Sequence, residues 1–205
     1  MPRPPDLRAA QPGSDPYARA TFSLGNRALR LLWNLCRLLL FRLSPRPLYT
    51  WRAFLLRLFG AKVGPLSRIY PAAKVWAPWN LVCADHVTLG DRSEIYNPAP
   101  VHLGSHVILS PDCFLCGATH DYNDPEFPLL AYAMTVECHA WICARAAVAP
   151  GVQVGAGAVL GLQSVAISDL APWTVYRGHP AVAVRQRTPP PEACGAACSP
   201  SSSLR

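Results

Sequence analysis

The residues best suited to catalysis stand in a polar segment that interrupts a regular, largely apolar sequence. Thr119, His120 and Asp121 are consecutive in the segment GATHDYNDPEFPL, residues 117–129. An imidazole titrates near neutral pH, and it can therefore accept a proton from a hydroxyl group that is otherwise a poor nucleophile. Taken alone, a histidine in such a segment is more often an exposed loop residue, so the spacing leaves both interpretations open.

Cysteines and further histidines raise the question of a metal site. Cys113 and Cys116 have the spacing of a zinc half-site, which Cys138 and Cys143 could complete. A free cysteine also behaves as a small apolar residue, and we favour that interpretation here. We interpret the other histidines, among them His86, His102, His106 and His139, as turn residues. Carbonic anhydrase chemistry would need three histidines converging on zinc, so we predict no metal.

Aliphatic residues recur every six positions through residues 61–188. The longest uninterrupted series is Val136, Ile142, Val148, Val154 and Leu160. A period of six fits neither an amphipathic helix nor a hairpin strand, and it is typical of a parallel β-helix with three short faces per coil. Each aliphatic side chain then points inward and stacks on its equivalents in adjacent coils. The sequence therefore predicts a mainly β protein.

The sixfold rhythm stops after Leu115 and resumes at Val136. A solenoid accommodates an insertion only as a loop that leaves one of its corners. We therefore predict a loop at 117–135 with His120 at its root. Since loops carry function more often than the scaffold does, this is the candidate site.

Two helices are predicted within the N-terminal segment 21–60. The first spans roughly 24–43 and the second roughly 48–59, separated by Ser-Pro-Arg-Pro. Arg27, Arg30, Asn34 and Arg37 form a polar stripe on the first helix. We expect both helices to pack on the main domain or on another subunit. The alternative is peripheral contact with the inner face of a membrane, with the arginines at the headgroups.

Composition excludes several classes of protein. The 205 residues are 51% hydrophobic and 15% charged, which excludes a wholly disordered chain. The net charge of +7 is local, because residues 16–60 contain eight arginines and no acid, whereas residues 61–188 carry −1. We therefore predict no nucleic-acid partner. The proline-rich ends, 1–20 and 189–205, are predicted to be disordered, and we predict a cytoplasmic protein without a spanning helix.

Beyond the period itself, longer stretches of residues 61–188 resemble the left-handed β-helix hexapeptide-repeat acyltransferases. Within that family the chain is similar to the colanic acid biosynthesis acetyltransferases. The stretches that carry this resemblance are LGDRSEIYNPAPVHLGSHVILSPDCFL (89–115), GATHDYNDPEFPL (117–129), WICARAAVAPGVQVGAGAVLG (141–161), PWTVYRGHPAVAVR (172–185) and FGAKVG (59–64).

The resemblance implies a set of site residues and a homotrimer with its sites between subunits. His120 would be the base that deprotonates the acceptor hydroxyl. Asn97 and Asp121 would lie at the acceptor. Ala144 and Leu162 would line the groove for acetyl-CoA, the acyl donor, and Arg185 would meet its phosphates. The chain departs from the family at Ile167-Ser168-Asp169 and Val182, where two lysines are missing.

The expected function is an acetyl-CoA-dependent O-acetyltransferase that acts on a sugar hydroxyl in exopolysaccharide biosynthesis. The acceptor would be a sugar or a lipid-linked saccharide. Two alternatives stay open. One is a non-catalytic scaffold subunit, which the missing lysines favour. The other is an acyltransferase with an amine or serine acceptor, because the fold alone does not set the acceptor class.

Overall fold

Short parallel strands on three faces form the β-helix that the hexapeptide period predicts. The computed structural model describes residues 21–189, in which about six coils follow one another. The first face contains β1 (Lys62–Val63), β4 (Leu81–Cys83), β7 (Val101–Leu103) and β12 (Met134–Val136). The second contains β2 (Arg68–Ile69), β5 (Thr88–Leu89), β8 (Ile108–Leu109), β13 (Trp141–Ile142), β15 (Val159–Leu160) and β17 (Thr174–Arg177), and it ends with β18 (Val182–Gln186), which pairs antiparallel with β17. The third contains β3 (Lys74–Val75), β6 (Glu94–Tyr96), β9 (Phe114–Cys116), β14 (Ala147–Val148) and β16 (Val165–Ala166). The left-handed β-helix prediction is confirmed.

The coils are not of equal length, and the difference explains the shifts in the sequence period. Early coils pair residues 20 apart, as Lys62 does with Val82. A later coil pairs residues 18 apart, as Trp141 does with Val159, and the last pairs residues 16 apart, as Val159 does with Val175. Each additional pair of residues lies where the third face returns to the first. We call this corner the loop edge, formed by residues 77–80, 97–100 and 117–133.

The other two corners turn through residues in the left-handed conformation. We call the corner between the first and second faces the histidine edge; its turn residues are Leu66, His86, His106 and His139. We call the corner between the second and third faces the polar edge; its turn residues are Arg92, Asp112, Arg145 and Gln163. The φ angles of these eight residues lie between 56° and 61°. The corners thus keep side chains on the outside while the aliphatic residues fill the interior.

The predicted N-terminal helices are present and cover the first coil. Helix α1 (Leu24–Cys36) begins at Ser23, whose hydroxyl accepts a hydrogen bond from the Asn26 N–H at 3.2 Å. It continues as a π-helical turn, Arg37–Phe41, and α2 spans Tyr49–Leu58. Trp33 is fully buried, and its indole N–H donates to the Val75 carbonyl at 2.8 Å. The helices thereby shield the end of the hydrophobic column from water.

A buried arginine joins the helices to the first coil. Arg52 is 0% exposed, and its guanidinium donates to the Ile69, Pro45 and Arg46 carbonyls and to the Ser44 hydroxyl. Burial lowers the pKa of Arg52 from its ordinary value. The proline-containing turn between the helices is therefore held by one side chain from α2.

The ends of the chain, residues 1–20 and 190–205, lie outside the described residues, and so do the predictions made for them. Within the described residues 21–189, no helix has the length and apolar character needed to span a membrane. The division of the chain at residues 20, 60 and 188 stays a prediction.

Candidate active site

A short hairpin on the loop edge holds the candidate base. Strand β10 (Ala118–His120) pairs antiparallel with β11 (Leu129–Ala131), with His120 opposite Leu129. The hairpin leaves the solenoid at Gly117, whose N–H donates to the Tyr96 carbonyl at 2.7 Å. A Cβ at position 117 would collide with that carbonyl, so this close approach requires glycine. The root of the loop is thus tied to the coil below it.

One backbone contact sets the protonation pattern of His120. Its Nδ1 lies 3.0 Å from the Phe127 carbonyl oxygen, and the two rings stack with centroids 4.4 Å apart. A carbonyl oxygen only accepts hydrogen bonds, so Nδ1 must carry the proton. In the neutral imidazole the lone pair is therefore on Nε2. This is the arrangement that a general base requires.

Asp121 has a clear role within the loop. Its Oδ1 accepts from the Asn123 N–H at 3.0 Å, and its own N–H donates to the Pro128 carbonyl at 3.1 Å. Asp124 forms a similar turn with Glu126 at 2.8 Å. These bonds shape the chain between the two strands. Asp121 remains partly exposed beside His120.

Asn97 lies on the same edge, one coil below the loop, and it is 0% exposed. Its Oδ1 accepts from the Ala77 N–H at 2.9 Å, and its Nδ2 donates to the Ala77 carbonyl at 2.8 Å. Asn80 in turn donates to the Asn97 carbonyl. The amide of Asn97 thus joins the two coils below the loop, and its role at the acceptor stays a prediction.

The predicted donor residues lie elsewhere in the chain. Ala144 and Leu162 occupy equivalent positions of successive coils on the polar edge, where the Gln163 N–H donates to the Ala144 carbonyl at 3.1 Å. Leu162 is 66% exposed. Arg185 is exposed on β18, opposite Val175. One chain therefore does not bring these residues together with His120, because the loop edge and the polar edge are different corners.

The third corner carries a column of aromatic rings. His86 stacks on His106 at 4.6 Å and His106 on His139 at 4.8 Å. Arg187 donates to the His139 and Gly157 carbonyls and lies over the Trp173 ring. His86, His106 and His139 are turn residues, as the sequence predicts. His102 is not, because it lies in the middle of strand β7.

The described residues offer no metal centre. Across residues 21–189, no cluster of three or more histidine, cysteine, aspartate or glutamate side chains is arranged to hold a metal ion. Cys113 is fully buried in the interior, and burial raises the pKa of its thiol to about 12. Such a thiol stays protonated at neutral pH, which disfavours its use as a ligand or nucleophile.

Phe127 is the residue that the sequence analysis missed. It contributes a carbonyl and a ring to His120 from seven positions further along an irregular loop. Neither the residue type of Phe127 nor its spacing from His120 predicts this backbone contact. The contact forms because the segment between β10 and β11 turns back on His120.

Comparison with known proteins identifies the family. No family model matches the chain. The chain is 37% identical over 166 residues, 81% of its length, to WcaF of Escherichia coli (strain K12), which is named for acetyl transfer in colanic acid biosynthesis. The match covers 91% of WcaF. The chain belongs to the hexapeptide-repeat acetyltransferases. Its predicted activity as an acyltransferase is thereby confirmed.

Two solved acetyltransferase structures share the fold of this chain. A hexapeptide-repeat acetyltransferase from Vibrio cholerae, solved with acetyl coenzyme A, superposes with a TM-score of 0.73 at 24% identity, over 82% of this chain and 91% of that one. A maltose O-acetyltransferase from Clostridium difficile 630 superposes with a TM-score of 0.71 at 19% identity, over 82% and 90%. At these identities the likeness concerns the fold.

Proposed function

We propose that the protein transfers an acetyl group from acetyl-CoA to a hydroxyl group of a saccharide during exopolysaccharide assembly. The observation that carries this proposal is the contact between His120 Nδ1 and the Phe127 carbonyl, which leaves the imidazole lone pair on Nε2. The name of WcaF supports the polysaccharide context. The maltose O-acetyltransferase and the complex with acetyl coenzyme A support the acceptor and donor classes. We place the reaction in the cytoplasm.

The proposed chemistry is direct transfer with His120 as general base. Nε2 accepts the proton of the acceptor hydroxyl as its oxygen attacks the thioester carbonyl. The resulting imidazolium keeps its Nδ1–H bond to the Phe127 carbonyl, so the ring stays oriented throughout. The same imidazolium then returns the proton to the departing thiolate sulfur when the carbon–sulfur bond breaks. The products are the acetyl ester and the free thiol of coenzyme A.

The proposed site is completed between subunits of a homotrimer. His120 lies on the loop edge, whereas Ala144 and Leu162 lie on the polar edge of the same chain. A three-fold arrangement of prisms brings the loop edge of one subunit next to the polar edge of its neighbour. We assign the acyl arm to the exposed surface at Leu162 and the phosphates to Arg185 and the exposed Arg177. Arg187 is committed to backbone carbonyls.

The test is thiol release from acetyl-CoA with a panel of saccharides and amines, using native protein and His120→Ala. General-base catalysis contributes about 100- to 10,000-fold, and we expect a loss in that range with saccharide acceptors. His86→Ala is the matched control, because it removes an exposed imidazole from a different edge. Near-native turnover by His120→Ala would show that His120 is not the general base. Transfer to amines but not to saccharides would show that the acceptor is an amine rather than a hydroxyl group.

A further inference from the structure

The N-terminal helices present an apolar surface to solvent. Trp33 and Asn26 face the solenoid, whereas Leu24, Leu31 and Leu35 lie on roughly the opposite side of α1 by its 3.6-residue period. Leu31 is 72% exposed and Leu35 is 53% exposed. A row of leucines this exposed is uncommon on a surface that contacts only water.

The same surface continues across the turn and onto α2. Leu38, Leu39 and Leu40 in the π-helical turn are each about half exposed. The Trp51 indole N–H donates to the Leu40 carbonyl at 3.1 Å, and the Trp51 ring stacks on Phe54 at 5.7 Å. The surface therefore spans both helices. We define this leucine surface by the residues Leu24, Leu31, Leu35, Leu38, Leu39, Leu40, Trp51, Phe54 and Leu58.

The charges of the segment that carries the leucine surface have one sign. Residues 21–60 contain seven arginines and neither aspartate, glutamate nor lysine. Arg27 is one helical turn from both Leu24 and Leu31, and Arg42 follows Leu38 and Leu39 by one turn; both arginines are exposed. Four other arginines are engaged within the protein. Arg52 is buried, and Arg30 lies over the Trp76 ring at 4.3 Å. Arg57 donates to the Val63 carbonyl, and Arg46 pairs with Asp91.

We propose that the leucine surface docks on an anionic lipid bilayer, with its leucines among the acyl chains and with Arg27 and Arg42 at the headgroup phosphates. An apolar helix face bordered by arginines is the signature of a helix that lies in the membrane interface. Guanidinium groups suit phosphate because they bind it in a bidentate way. Since no described helix could span a membrane, the contact is peripheral.

The positive charge of residues 21–60 favours a lipid bilayer, rather than a second copy of the chain, as the partner of the leucine surface. Two copies docked through this surface would bring arginines against arginines, with no acidic residue from 21–60 between them. Like charges brought together at an interface oppose association. An anionic bilayer complements both features of the surface, the apolar face and the cationic border.

Vesicle flotation with the full chain tests the proposal. The probes are vesicles of phosphatidylcholine alone and of phosphatidylcholine mixed with phosphatidylglycerol, at low and high salt. We expect binding to the anionic vesicles that weakens with salt. Arg27→Gln combined with Arg42→Gln should reduce partitioning about twenty-fivefold, since each arginine near an anionic surface contributes roughly fivefold. Arg68→Gln combined with Arg145→Gln, at exposed positions on the solenoid, should leave it unchanged.

A matched pair of leucine variants separates the apolar contribution. Leu31→Gln on the leucine surface should weaken partitioning about tenfold. Leu66→Gln should have no effect, although Leu66 is 71% exposed on the solenoid. Absence of binding to anionic vesicles at low salt would overturn the proposal, as would equal losses in Leu31→Gln and Leu66→Gln. Light scattering gives the last check, because a lower oligomer mass for Leu31→Gln would make the surface a subunit interface instead.

Discussion

At the scale of single residues, the candidate base depends on an atom that belongs to no motif. The imidazole of His120 could adopt either neutral tautomer, and the Phe127 carbonyl selects the one with a basic Nε2. The stacked Phe127 ring limits rotation of the imidazole. The carbonyl and the ring therefore make separable contributions, one to the tautomer and one to the orientation.

Phe127→Ala tests this separation. The variant retains the backbone carbonyl and removes the stacked ring, which contributes about 0.5–1.5 kcal/mol in pairs of this kind. We expect kcat to fall roughly two- to tenfold, well short of the loss in His120→Ala. Steady-state kinetics with the same saccharide measure both variants. A Phe127→Ala variant as impaired as His120→Ala would show that the ring, rather than the carbonyl, controls the base.

At the scale of elements, the helices and the first coil form one unit through a buried cation. The four hydrogen-bond acceptors of Arg52 come from β2 and from the turn between the helices. Trp33 provides the second link, from α1 to β3. The orientation of the leucine surface therefore depends on polar contacts beneath it. Losing Arg52 should loosen the helices before it affects the later coils.

Arg52→Met is expected to lower the free energy of unfolding by about 2–3 kcal/mol, because it leaves buried carbonyl groups without donors. Urea denaturation followed by tryptophan fluorescence measures the change. Arg68→Met is the control, since Arg68 is exposed on β2 and we expect a change within about 0.5 kcal/mol. Equal stability of the two variants would mean that water replaces the guanidinium at no cost.

At the scale of the whole molecule, the two halves of the proposed site lie on different corners of one prism. His120 and its hairpin occupy the loop edge, and Leu162 occupies the polar edge. In the proposed trimer, three corners related by a three-fold axis would complete three sites, whereas a single chain would complete none. Under that proposal, activity depends on assembly.

Complementation between inactive variants follows from that geometry. His120→Ala and Leu162→Glu should each lose transfer activity, the second because a carboxylate obstructs the acyl arm. Random trimers from co-expressed variants should recover about a quarter of native activity, since one interface in four joins an intact loop edge to an intact polar edge. Light scattering should give a trimer mass for native protein and variants alike. No recovery in verified mixed trimers would place the whole site within one chain.

Regular features of the molecule could be predicted from the sequence by itself. The period of six determined the three faces, the break after Leu115 located the loop, and the Ser-Pro-Arg-Pro turn separated the helices. Such features can be predicted because periodicity and turn chemistry are local properties of the chain. His120 stood out for the same reason, as the one histidine placed at the break.

Contacts between coils and within the loop were decided only by the tertiary structure. Asn97 meets Ala77 because the early coils are 20 residues long. His120 meets Phe127 because the segment between β10 and β11 turns back on the first strand. Arg30 and Arg52 belong to a charged segment, yet both pack inward, while the leucines of α1 face outward. A helical pattern identifies two faces but not the one that packs. That choice depends on which side chains complement the first coil, where Trp33 and Arg52 find backbone carbonyls to bind.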